Sequence, residues 1–185
     1  MTDDILKGKL LVSQPTLTDP NFDRTVVLML EHGEDGAIGV VLNRQSDVEM
    51  AEAVPAWADK AAQPARVFVG GPVVDEGTAI CLARSEEDET AAWKPMIAGL
   101  GTLDVNVEPD ATGVKIDEIR LFAGYSGWGK GQLEMEIELG AWFVVDARPV
   151  DAFTADPEGL WKAVIGRQPG MLAWMATFPP DVSMN

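Results

Sequence analysis

The sequence predicts an α/β (α+β) fold: a single domain, 1–185, with a mixed, partly antiparallel sheet and flanking helices. Three observations carry that expectation. Two β-branched, apolar runs, TVVLMLEH at 25–32 and AIGVVLN at 37–43, flank the turn formers GEDG at 33–36, the pattern of a β-hairpin. Further on, IRLFAGYSGWGKGQLEMEIELGAWFVVD at 119–146 reads as strand, glycine-crowded loop, short helix and strand. Finally, the 185 residues are 46% hydrophobic and include six tryptophans. A globule of this size buries about 70% of the surface its unfolded chain exposes, so no staples are needed.

The opening, MTDDILKGKLLVSQP, has acids where a secretory signal needs a basic region. No apolar run approaches the roughly 20 residues that span a bilayer, so a soluble, cytoplasmic protein without membrane contact is expected. After the hairpin, Ser46 followed by Glu49 forms a capping-box pattern that predicts a helix through Ala53, and Pro55 starts a second helical turn carrying Trp57. Strands are expected at 66–69 and 78–83, separated by GGPVVDEG, in which Gly70, Gly71 and Pro72 end the first strand abruptly. The two glycines permit a tight turn or the close approach of another backbone. SEEDET at 85–90 reads as an exposed acidic connection.

The stretch LEMEIEL at 133–139 sets two signals against each other. Strict alternation of apolar and acidic residues suits a half-buried strand. Against that, Gln, Leu, Glu and Met favour helix, Gly140 stands at a helix stop, and Leu133 with Ile137 forms an i, i+4 apolar pair. Propensity therefore predicts a helix of about nine residues, roughly 14 Å long. A strand follows at 142–145, and Asp156-Pro157 is expected to cap a last helix carrying Leu160, Trp161 and Val164. No repeat or linker divides the chain.

Charge limits the partners. Thirty acids against fourteen Lys and Arg give a formal net charge of −16. Nucleic-acid affinity rests on basic side chains that displace counterions from phosphates, and here the bases are scattered singly, so direct nucleic-acid binding is disfavoured. A basic protein partner would be steered toward such a surface. The solitary Cys81 excludes an intramolecular disulfide and suits a reducing compartment; between Ile80 and Leu82 it reads as a buried, inert strand residue.

Candidate chemistry concentrates at 124–131. Gly124 to Lys130 fits the phosphate-loop pattern G-x-x-x-x-G-K, but Gly131 lacks the hydroxyl that would hold magnesium, and Trp128 is bulky for a loop that wraps phosphates. A hydrolase or phosphotransfer reading needs this loop to share one pocket with His32 or Asp146. A simpler reading is a binding module for a small anionic ligand, held by backbone N–H groups around Gly124 and Gly127 ahead of the helix. Tyr125, Trp128 and Gln132 would line that site, with no metal and no cofactor. Ser126 fails as a nucleophile elbow because Trp128 stands where G-x-S-x-G needs glycine. His32, the single histidine, is one potential ligand where a metal needs three or four, and its ordinary role is a hydrogen bond fixing the hairpin end. No catalytic group is assigned.

Three segments together, FDRTVVLMLEHGEDGAIGVVLNR at 22–44, VFVGGPV at 67–73 and FAGYSGWGKGQLEMEIELGAWFV at 122–144, resemble the YqgE/AlgH family over essentially the whole chain. The resemblance implies a layered α/β fold with a helix at the 133–139 segment. It adds His32, Arg24 and Asn43 as candidate ligand-binding residues, because they match polar positions of the family motif. It also weakens the enzymatic reading, since Lys130 is not a defining residue of the family and alanine is more frequent at the position of Ser126. Members are often labelled transcriptional regulators, a label that conflicts with the charge if DNA is bound directly. The expectation is a non-enzymatic module for a small ligand or a protein partner, with an indirect regulatory role.

Overall fold

A computed structural model describes residues 5–15, 19–20, 22–74 and 78–177. The acidic opening at 1–4 and residues 75–77 of the GGPVVDEG connection lie outside them. The strands are β1 Lys9–Ser13, β2 Val26–Gly33, β3 Gly36–Val41, β4 Gln45–Glu49, β5 Arg66–Val69 and β6 Ala79–Arg84. They continue with β7 Trp93–Ile97, β8 Leu100–Leu103, β9 Glu118–Ala123, β10 Ser126–Gly129 and β11 Trp142–Asp146. The helices are α1 Met50–Ala53, α2 Gln132–Glu138, α3 Pro149–Ala152, α4 Leu160–Gly166 and α5 Met171–Met175, with a 3-10 helix at Pro55–Lys60. Among the described residues no helix is long and apolar enough to cross a membrane.

The expected mixed α/β architecture is present, divided between two sheets where one was anticipated. A five-stranded sheet, ordered β10-β3-β2-β1-β11, is antiparallel throughout. A six-stranded sheet, ordered β4-β5-β9-β6-β8-β7, contains one parallel pair, β5 with β9. The runs KLLVS and VVLML show why two sheets form. Their apolar residues are nearly continuous, and such strands must be covered on both faces. Leu10, Val12 and Leu28 face Phe68, Leu82 and Phe122 of the second sheet, with Trp161 and Val164 of α4 closing that core. Leu11, Val27 and Met29 point the other way, beneath Leu133 and Ile137 of α2. The far face of the second sheet packs Cys81, Ile119 and Leu121 against Trp57 of the 3-10 helix and against Trp93. Each fully buried aliphatic side chain contributes about 1.5–3 kcal/mol.

The hairpin forms as expected, with Gly33 paired to Gly36 across a two-residue turn. The helix expected from Ser46 to Ala53 is mostly a strand. Ser46 Oγ donates to the Val67 carbonyl and Glu49 pairs with Arg66 at 3.0 Å, so both supposed capping side chains serve the β4–β5 pairing, and α1 is four residues long. The 3-10 turn at Pro55 with buried Trp57 is present. β1, β7 and β8 went unpredicted, and β10 was expected as loop; β7 and β8 are joined through Ala98 and Gly99, both at positive φ, as a two-residue hairpin turn requires.

The 133–139 segment is helical. α2 ends in a Schellman arrangement in which Gly140 N–H donates to the Ile137 carbonyl and Ala141 N–H to that of Glu136. Asp156 accepts the Gly159 N–H at 3.0 Å on the turn entering α4, as a cap would. That helix is not the last, since α5 follows it.

Candidate functional site

The glycine run at 124–131 is an edge strand rather than an open phosphate loop. β10 pairs with β3, Trp128 opposite Ala37 and Gly127 opposite Ile38. Gly124 N–H donates to the Thr78 carbonyl, Tyr125 N–H to that of Val73, and Gly129 N–H to Gln132 Oε1. These amides are therefore committed to the fold and not to an anion. α2 has seven residues, too short to add a strong dipole site at its start. Gly70 and Gly71 take the close-approach role: a Cβ on either would collide with the 124–126 backbone.

What the strand does form is one wall of an open cleft of about 950 Å³. Tyr125, Gly127 and Trp128 stand on one side, and the hairpin end on the other, with Glu31, His32, Glu34 and Asp35. Lys7 and Val73 close its rim. His32 and the loop thus share one pocket, as a functional reading of either requires. Gly124 lies beneath this wall without lining it. Asp146 belongs to β11, the opposite edge of the sheet, where it pairs with Lys9. Lys130 is exposed.

The remaining candidates have local partners. Asn43 Oδ1 accepts the Val26 N–H at 3.0 Å and its Nδ2 donates to the Arg24 carbonyl at 2.9 Å, extending the β2–β3 pairing beyond the last strand residue. Arg24, at φ 47°, lays its guanidinium 4.6 Å from the centre of the Trp161 ring. Gln132 bridges Gly129 N–H and Glu136 Oε1, its Nε2 donating to the latter at 3.0 Å. None of the three lines the cleft.

Two groups behind the cleft wall were not anticipated. His32 Nε2 lies 2.7 Å from Glu134 Oε1, joining the hairpin end to α2. The Glu134 backbone amide, and then His32, hold that carboxyl below its ordinary range. Next to it, Glu136 Oε2 accepts both the Trp128 and the Trp142 indole N–H at 2.9 Å. Phe22 stacks on Trp128 and meets Trp142 edge-on. One carboxylate thus fixes Trp128, which lines the cleft, together with Trp142, which does not. Buried indoles demand an acceptor, and acidic residues two apart on the α2 run were the sequence signal for it. Among the described residues no cluster of three His, Cys, Asp or Glu is arranged to hold a metal ion.

Comparison with known proteins places this geometry in a family. The AlgH-like family model matches residues 10–173. A UPF0301 protein of Streptomyces coelicolor is 44% identical over 184 residues, covering 97% of this chain and 95% of its own. One of Streptomyces avermitilis is 43% identical over the same length, with the same coverage. Among solved structures, a Corynebacterium diphtheriae protein superposes with a TM-score of 0.86 at 29% identity, covering 94% of this chain and 92% of that one. The solution structure of the AlgH protein from Pseudomonas aeruginosa gives 0.68, also at 29% identity, with 94% of each chain covered.

Proposed function

The chain belongs to the AlgH-like family, and on that premise we propose that it is a binding module whose site is the cleft between the hairpin end and β10. The observation that carries this reading is the convergence of His32, Tyr125 and Trp128 on one open cleft of about 950 Å³, within the size of small-molecule sites. The lining changes the class of ligand. Glycine amides suggested an anion, but Gly124, Tyr125 and Gly129 have given their N–H groups to the fold. Glu31, Glu34 and Asp35 face a single Lys7, so the lining favours a cation, in a protein whose net charge of −16 attracts one. The half-buried Tyr125 ring adds cation–π attraction to a guanidinium or ammonium.

A regulatory role would then be indirect, exerted by occupancy of this cleft and not by contact with DNA. Tryptophan-fluorescence melting in the presence of arginine amide, spermidine and lysine amide, against phosphate and acetate, tests the assignment. A true ligand at about 100 times its Kd adds roughly 2.7 kcal/mol, which raises the melting midpoint of a domain this size by several degrees. The cations are expected to raise it and Asp35→Asn with Glu34→Gln to remove the shift. A rise with phosphate alone, or no rise with any probe, rules the reading out.

A further inference from the structure

A second cleft, of about 570 Å³, opens between the two sheets beside the first. The two share Lys7, Glu31 and Ile38 as walls, so they meet along one line of residues. Their linings differ. The first is acidic, whereas the second is mainly aliphatic, lined by Leu30 and Ile38 from the five-stranded sheet and by Ile80 and Met96 from the six-stranded one. At its far rim Lys94 makes no ion pair among the described residues and is available to a carbonyl oxygen.

We propose that the two clefts act as one groove that holds an extended peptide segment of a partner protein, with a basic side chain in the acidic half and an aliphatic side chain between the sheets. The proposal rests on the cation-binding reading of the first cleft and names its occupant. Each cleft alone is within the range of about 300–1,000 Å³ of a small-molecule site; their adjacency and contrast in lining are what favour a peptide. An acidic compartment adjoining an aliphatic one matches side chains of opposite character a few residues apart. Pockets that accept spaced side chains are how extended peptides are read. The negative field of the protein brings the basic residue in first, and burial of the aliphatic one then slows release.

The test uses the full chain and fluorescein-labelled hexapeptides of Gly and Ser that carry one Arg followed, after one to four residues, by one Leu. Controls replace the Leu or the Arg by Ser, and fluorescence anisotropy reads binding. At one spacing the peptide with both residues is expected to bind at least tenfold more tightly than the peptide with Arg alone. Ala91→Phe, which fills the aliphatic cleft from an exposed wall position, should reduce that gain to under threefold and leave the peptide with Arg alone unaffected. Ala79→Leu fills it from the β6 side and serves if the first variant melts early. Equal affinity with and without Leu at every spacing overturns the groove, while binding of the Arg peptide upholds the first cleft. Loss of all peptide binding together with all small-cation binding overturns both.

Discussion

The two sheets are held by opposite electrostatic devices. On the outer side of the five-stranded sheet an anion is the hub: Glu136 gathers two indoles and Gln132, and Glu134 gathers His32. In the six-stranded sheet a buried cation is the hub. Arg120 of β9, 1% exposed, donates to the carbonyls of Gln63, Thr154 and Ala152 at 2.7, 2.8 and 3.3 Å and lies 4.2 Å from the centre of the Phe68 ring. Burial lowers its pKa to about 10, so it stays charged at neutral pH, with carbonyl dipoles and Glu118 opposing the cost. The Glu134 carboxylate is partly exposed and can be discharged by acid, whereas the Arg120 guanidinium is enclosed and holds its charge up to about pH 10.

The largest expected effect is therefore at Arg120. Arg120→Met leaves three carbonyls without their donor, and each buried unsatisfied group costs about 1–3 kcal/mol. A loss of about 3–5 kcal/mol is expected from urea unfolding; a loss below 1 kcal/mol would show that Arg120 is no hub. Glu136→Ala should come next, at about 2–4 kcal/mol, because two buried indole N–H groups lose their acceptor. Combining it with Trp128→Phe removes one orphaned donor and should add less than the two single losses predict. Full additivity would mean that the carboxylate and the rings are not one unit.

Acid sharpens the comparison further. Glu134 has a folded-state pKa below its ordinary value of 4.5, and Asp146, paired with Lys9, one below 3.8. Each contributes stability that is present above those ordinary values and is lost as pH falls through the depressed ones. Between about pH 5 and pH 3, hydrogen exchange of α2 and β11 should quicken before that of β9. Glu134→Gln should flatten that slope for α2; an unchanged slope would assign the acid response elsewhere. The smallest effect concerns Cys81, on the sheet of the guanidinium hub. Burial pushes its thiol up to about 12, so labelling by iodoacetamide at pH 8 should be negligible in the folded state and complete in urea. Rapid labelling of the folded protein would show that this sheet opens easily.

Much of the fold was legible along the chain. The 25–43 hairpin, the helix at 133–139 and the strand at 142–145 follow from local signals, namely turn residues, propensity and a stop glycine. What was misread has a common cause. β10 looked like a loop because its glycines carry little strand propensity; its partner, β3, lies some 90 residues earlier. β7 and β8 hid behind Pro95, Gly99 and Gly101, and the Ser46–Glu49 box looked like a cap because a side chain's partner across a sheet leaves no mark on its sequence neighbours.

The site divides the same way. Tyr125, Gly127, Trp128 and His32 were identifiable as residues, and their meeting in one cleft was not, nor was the acidic lining that Glu31, Glu34 and Asp35 give it. Local pattern determined the 25–43 hairpin, the 133–139 helix and the 142–145 strand, and composition determined the net charge of −16. Tertiary structure alone decided that the apolar strands would form two sheets, which amides the fold would consume, and that Glu136 would bind two indoles from opposite edge strands. The reason is physical: propensity and charge belong to single residues and short windows, whereas hydrogen-bond satisfaction and the walls of a cleft depend on atoms brought together from distant parts of the chain.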